Sequence, residues 1–230
     1  MAKAIIFDLD NTLIDFMKMK QLACSSAVDA MIKAGLKADR KKTLKLLFEL
    51  YDEYGYEYEH IFEALLKEMT GKVDYGIVGA GIVAYRKTRE SGLLISYPGV
   101  RETLVELRKK KVKLAIVTDA PRIQAWIRLA AMRIQDKFDA VITFDESEAK
   151  KPSTKPFLMA LRKLKARPEE ALIVGDSIVR DIEPGNRMGA VTVLAKYGKN
   201  GMNREDKRKM KAGCPASFQI RRFEDILKLV

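Results

Sequence analysis

The strongest constraint on this chain is a set of short, uninterrupted apolar runs: AIIF at Ala4–Phe7, VKLAIV at Val112–Val117, ALIV at Ala171–Val174 and VTVLA at Val191–Ala195. These runs read as strands buried on both faces of a sheet. Helical periodicity fills the intervals, over Pro98–Lys110, Pro121–Met132, Pro156–Lys165 and the stretch from Asp176 to Gly189. Shorter strands are expected at Ala140–Thr143 and Ser217–Ile220, with a last helix at Phe223–Leu229. Strand and helix in alternation imply a parallel sheet covered on both faces, with right-handed crossovers. The expected fold class is α/β, a doubly wound, Rossmann-like parallel sheet.

Residues 16–92 break that rhythm. They hold no convincing strand, only four helical stretches at Met17–Ala34, Ala38–Tyr54, Glu57–Thr70 and Val73–Glu90. Gly35, Gly55, Gly71 and Gly92 stand where helix stops are expected. The spacing predicts a helical-bundle domain at 16–92, inserted into an α/β core made of 1–15 and 93–230. The hinges between them are expected near Asp15–Met17 and Leu93–Tyr97.

Composition removes several function classes. His60 is the only histidine among 230 residues, which leaves little for histidine-based zinc sites or Ser-His-Asp chemistry. Cys24 and Cys214 are far apart and read as two reduced thiols. No signal peptide and no long apolar span is visible, so a cytoplasmic protein without membrane contact is expected. The net charge of +12 admits two readings. One is nucleic-acid binding. The other, preferred here, is a thermophile-like surface rich in Lys and Glu. The basic runs at Arg108–Lys113, Arg162–Arg167 and Arg204–Lys211 fall near expected helix C-termini, where cations suit the dipole. A positive field also draws in small anions.

The chemistry begins where the strands stop. AIIF runs into Asp8-Leu9-Asp10-Asn11-Thr12, VKLAIV into Thr118-Asp119, and ALIV into Gly175-Asp176-Ser177, with Asp181 following. Lys150-Lys151-Pro152 precedes another helix. Ligands of an open parallel sheet bind beyond the carboxyl ends of its strands. Gathered there, Asp8, Asp10 and Asp176 would repel one another strongly unless a hard divalent cation such as Mg2+ joined them. Thr118 could donate to a phosphate oxygen, and Lys151 could supply positive charge. Each residue also has an ordinary reading: turn or helix caps for Asp8, Asp10 and Asp181, a backbone-bonded hydroxyl for Thr118, a solvated lysine for Lys151. Elsewhere, the tyrosine-rich stretch Tyr51–His60 and Trp126 read as packing, while Phe16 and Met17 could line a pocket or pack a hinge.

The ordered set resembles the haloacid dehalogenase-like (HAD) hydrolase superfamily. Its DxD[G/N]T motif is present as Asp8–Thr12, its strand-end Ser/Thr as Thr118, its Lys-Pro as Lys151-Pro152, and its GD(S)xxxxD as Gly175–Asp181. The helical insert lies between the first and second motifs, as does the cap of one large group in that family. The resemblance implies a phosphatase acting on a small phosphorylated metabolite. Asp8 would be the nucleophile and Asp10 the general acid and base. Asp8, Asp10 (by its carbonyl), Asp176 and Asp181 would hold Mg2+. Thr118 and Lys151 would hold the phosphate, with Leu9 and Asp119 as neighbouring candidates. Asp119 departs from the usual Asn, and its role is open. Thr154 stands where many relatives have Pro. A sugar phosphomutase would use the same residues. A 2-haloacid dehalogenase is opposed by the acid at Asp10, and a nucleic-acid-binding protein on this fold is suggested only by charge. Either a monomer or a homodimer is compatible with the chain.

Overall fold

A computed structural model describes residues 2–90, 96–201 and 204–230. Along the chain, β1 (Ala4–Phe7) precedes four helices, α1 (Phe16–Lys33), α2 (Arg40–Tyr54), α3 (Ile61–Thr70) and α4 (Tyr75–Glu90). Then follow α5 (Val100–Lys109), β2 (Lys113–Val117), α6 (Arg122–Ala131), β3 (Ala140–Ile142), α7 (Phe144–Ser147) and α8 (Lys155–Leu164). The remainder is β4 (Ala171–Gly175), a wide π-type turn at Ile178–Ile182, α9 (Glu183–Arg187), β5 (Val191–Ala195), α10 (Arg204–Ala212) and β6 (Phe218–Ile220). Short 3-10 turns cover Pro168–Glu170, Lys196–Gly201 and Phe223–Leu229. The chain forms two compact units, Met1–Met17 with Leu94–Val230, and Lys18–Leu93.

In the first unit six described strands form one parallel sheet in the order β3-β2-β1-β4-β5-β6. This is the doubly wound α/β class expected from the apolar runs. β1 is central, with all four residues at 0 % exposure, which is why its sequence is apolar without alternation. Successive side chains point to opposite faces. Ala4, Ile6, Ala115, Val117 and Ile173 pack against Phe157, Ala160, Leu161 and Leu164 of α8. On the other face the Phe7 ring lies 5.5 Å from that of Phe223. Each large side chain so buried contributes roughly 1.5–3 kcal/mol.

Among its described residues the second unit has helices joined by turns and no strand. α1 buries Cys24, Ala27, Val28 and Met31 at helical spacing, against Leu47, Leu50 and Tyr51 of α2, Ile61, Phe62, Leu65 and Leu66 of α3, and Val78 of α4. Tyr51 is core and stacks on Tyr56 at 5.5 Å, so part of the tyrosine-rich stretch is packing, as expected. Burial pushes the Cys24 thiol up to about 11, and both cysteines are free.

Several helix starts lie a few residues later than the periodicity predicts, because local caps decide them. Asp39 accepts from the Lys42 amide at 2.8 Å and opens α2, and Asp74 accepts from the Gly76 and Ile77 amides and opens α4. Gly92 and the hinge residues Leu93–Ile95 lie outside the described residues. Three features depart from the sequence reading, the first being that the last helix expected at Phe223–Leu229 is a 3-10 turn. The single helix expected from Asp176 to Gly189 is a π-type turn running into the short α9. The third basic run spans α10 itself rather than its end alone, with Glu205 and Asp206 in its first turn and Lys209 and Lys211 in its last, where cations were expected. No described helix is long and apolar enough to cross a membrane.

Candidate active site

The sheet register assembles the site. Phe7 pairs with Ile116 and with Val174, so Asp8, Thr118 and Asp176 all emerge at the carboxyl ends of adjacent strands. The Asp8 amide donates to the Val174 carbonyl at 2.9 Å, extending the ladder by one residue before the chain turns. Asn11 then takes a positive φ of 63°, a conformation Asn tolerates. Its side-chain oxygen accepts from the Met17 amide at 3.0 Å, and its own amide donates to the Ile14 carbonyl at 2.7 Å. The turn is thus a closed loop, not a frayed strand end.

Lys151 is the hub. Its Nζ lies 2.6 Å from Oδ1 of Asp8 and 2.7 Å from Oδ1 of Asp181, and its side chain is 1 % exposed. Of the two neighbouring lysines, then, Lys151 reaches the strand ends. Thr12 donates to the other Asp8 oxygen at 3.0 Å. Asp119, whose role the sequence left open, accepts from the Lys151 amide at 2.9 Å and so fixes the backbone of that loop. Thr118 is buried, and its hydroxyl accepts from the Ala120 amide at 3.2 Å. The Leu9 side chain is fully buried, so only its main chain could face a phosphate. Asp181 does not sit at a helix surface as a simple cap. It is fully buried, and its second oxygen accepts from the Ser177 amide at 3.2 Å.

Gly175 is explained by that carboxylate. A Cβ there would stand 2.3 Å from Cγ of Asp181. Gly175→Ala should therefore displace Asp181 and cost about 1–3 kcal/mol of stability, the usual range for overpacking. Urea denaturation measures this, and a change below about 0.5 kcal/mol, typical of a free surface site, would contradict the close approach.

One oxygen from each of Asp8, Asp176 and Asp181 lies within 4.8 Å of the others. Both carboxylate oxygens of Asp176 are buried without a hydrogen-bond donor among the described residues, and the Arg180 guanidinium is 3.7 Å away. Burial pushes the Asp176 carboxyl well above its ordinary value, and Asp8 and Asp181 push the same way against Arg180. Burial and Asp8 push Asp181 up to about 6, although Lys151 opposes them. Burial alone would lower Lys151, but Asp181, Asp8 and Asp119 hold it above its ordinary value. The cluster thus holds more acid than its cations balance. A fully buried carboxylate with no donor among the described residues, in an all-oxygen set, fits a hard divalent ion such as Mg2+.

The sequence profile of the haloacid dehalogenase-like hydrolases matches residues 5–195. The chain belongs to this family. Among curated relatives, it is 35% identical over 230 residues to a glyceraldehyde 3-phosphate phosphatase of Pyrococcus abyssi, covering 100% of this chain and 94% of that one. It is 30% identical over 241 residues to a phosphoglycolate phosphatase of Aquifex aeolicus, covering 99% and 96%. Among solved structures, a HAD phosphatase from Thermococcus onnurineus has the same fold, with a TM-score of 0.67 at 24% identity, covering 99% of this chain and 97% of that one.

Other residues around this candidate site escaped the motif reading. Asp206 of α10 is fully buried and accepts from the Ser177 hydroxyl at 2.9 Å and from the Val179 amide at 3.0 Å, holding the turn between Asp176 and Asp181. The Tyr197 hydroxyl donates to the Thr12 carbonyl at 3.0 Å. Gly198 lies so close that a Cβ would be 2.0 Å from the Asn11 carbonyl oxygen and 2.8 Å from Cβ of Asp176. Arg128 of α6 pairs with Asp10, Nη1 to Oδ2 at 3.0 Å. A visible signal existed for Arg128: it shares a helix face with Ala125 and Leu129, both buried. A charge on an apolar stripe asks for a buried partner.

Proposed function

We propose that this HAD-family hydrolase of phosphoric monoesters acts on a small substrate with a short carbon chain, through an aspartyl-phosphate on Asp8. The observation that carries the reading is the setting of Asp8: a buried carboxylate at a strand end, one oxygen held by Lys151 and the other by Thr12, beside an Asp176 that has no hydrogen-bond donor among the described residues. The relatives' names support the substrate class, since glyceraldehyde 3-phosphate and phosphoglycolate each carry one phosphate on a two- or three-carbon skeleton. The unit Lys18–Leu93, inserted between the first and second motifs, would serve as the specificity cap.

Asp8, Asp176, Asp181 and the Asp10 carbonyl would hold Mg2+, which when bound supplies positive charge to the carboxylates and to the phosphate oxygens. Asp8 attacks phosphorus, and the bond to the leaving oxygen breaks. Asp10 gives that oxygen its proton, then takes one from the water that cleaves the aspartyl-phosphate. Lys151 and Thr118 steady the phosphoryl oxygens, with Lys151 also orienting Asp8. The direct test is phosphate release from a panel of phosphomonoesters, with Mg2+ and with chelator. Turnover of two- and three-carbon phosphates only with Mg2+ is expected; equal turnover in chelator would refute the metal assignment.

Proton competition gives a second test. Asp176 and Asp181 are held above the ordinary carboxylate range, so the folded metal-free chain keeps protons that the unfolded chain has released. Its stability therefore falls as pH rises from about 4 through the Asp181 value and beyond. A divalent cation binds the ionised set and must displace those protons. Saturating Mg2+ should raise Tm more at pH 8 than at pH 5, read by differential scanning calorimetry. An equal rise at both would rule out these carboxylates as the ligands.

A further inference from the structure

α6 presents a buried face made of Ala125, Arg128 and Leu129, continued by Met132. Arg128 is 4 % exposed on that face. A guanidinium so placed is tolerated only when paired and hydrogen-bonded. Its Nη1 donates to Oδ2 of Asp10 at 3.0 Å, and its guanidinium carbon lies 4.5 Å from the centroid of the Phe16 ring. Phe16 is itself buried, at 6 % exposure. The Asp10 side chain is more open, at 23 % exposure. The pair therefore joins an anchor fixed on a packed helix and against a ring to a carboxyl at the rim of the site. Arg suits this duty because its planar fork fixes direction as well as charge.

We propose that Arg128 is a positioning residue for Asp10, and that this fits the site to unactivated alkyl phosphomonoesters. The inference rests on Asp10 being the general acid of the proposed reaction. As an Asp8 oxygen bonds to phosphorus, the bond from phosphorus to the bridging oxygen breaks, and that oxygen departs with the electron pair. It takes the Asp10 proton and leaves as an alcohol, while Asp10 becomes a carboxylate facing Arg128. An alkoxide departs only with that proton; a dinitrophenolate departs without it. Misorientation of Asp10 thus harms alkyl substrates selectively.

The test measures kcat/KM, which reports the first phosphoryl transfer, for wild type, Arg128→Met, Arg128→Lys and Asp10→Asn. The two probes are glycerol 3-phosphate and 2,4-dinitrophenyl phosphate. General acid catalysis is worth about 10²–10⁴-fold, so Arg128→Met should lose roughly 10²-fold on the alkyl ester and under about threefold on the aryl ester. Arg128→Lys, which keeps a donor and the charge, should recover part of the alkyl loss. Equal losses on both probes, an unchanged alkyl rate, or an alkyl gain would each overturn the proposal. If Arg128→Met fails to fold, Arg128→Lys decides alone: an alkyl-selective loss supports positioning, and any other pattern overturns it. Asp10→Asn separates this inference from its premise. Equal losses there remove the general-acid reading itself. A selective loss there, with none in Arg128→Met, removes only the role of Arg128.

Discussion

Asp8→Asn should lower phosphate release by about 10⁴-fold or more while leaving the fold in place. The amide cannot attack phosphorus, yet it fills the same space. Its oxygen can still accept from Lys151, which now stands 2.6 Å from Oδ1 of the carboxylate. The Thr12 hydroxyl, which donates to Oδ2 at 3.0 Å, can rotate to accept from the new NH2 group. The variant should also fail to take up label from radioactive substrate after acid quench, whereas the wild type should show a transient phosphoenzyme. Residual turnover above a few per cent, or labelling that persists in the variant, would exclude Asp8 as the nucleophile.

Lys151→Met is expected to have the largest effect on stability. Lys151 stands between Asp8 and Asp181 with its ammonium almost wholly buried, and its loss leaves both carboxylates facing Asp176 without it. Breaking a buried ion pair from one side typically costs about 3–5 kcal/mol. Saturating Mg2+ should restore part of that loss, because a divalent ion can take over the neutralisation of Asp8 and Asp181. Activity should stay low even then, since the phosphoryl oxygens lose a cationic partner. Lys151→Arg should not substitute well, because a planar fork cannot replace a compact ammonium held between two oxygens. Thermal unfolding with and without Mg2+ reads both effects. Wild-type stability in Lys151→Met without metal would mean that the three acids do not depend on this lysine.

What was legible in the sequence divides along a physical line. Apolar runs and their polar ends specify the strands and the edge where ligands bind, so Asp8, Thr118 and Asp176 could be nominated from position, and Lys151 and Asp181 from the resemblance of their motifs. Partnerships across the fold leave weaker traces. Nothing near Asp119 in the chain says that it holds the Lys151 amide. Asp206 sits in α10, a helix dominated by charge, where only Met210 four residues later marks the inner face. Burial then distinguishes this acid from the rest. The π-type turn at Ile178–Ile182 was hidden for a related reason. Its shape follows from tertiary bonds, Asp206 to Ser177 and Val179, and not from helix propensity.

The central place of β1 also bears on how the chain reaches its native state. Its first residue, Ala4, pairs with Lys113 on one side and Ala171 on the other. During synthesis this apolar strand emerges well before β2 and β4, and until they follow both its hydrogen-bonding edges are open to wrong partners. Closing so long a loop is slow, because entropy is lost before the contacts form. The intervening helices carry a core of their own, and the bridge between Ile14 and Ser96 ties the outgoing chain to the returning one. A segment that folds early shortens the effective loop and brings the late strands back toward β1. Asp8 is thus made long before Thr118, Lys151 and Asp176, the residues that complete its surroundings.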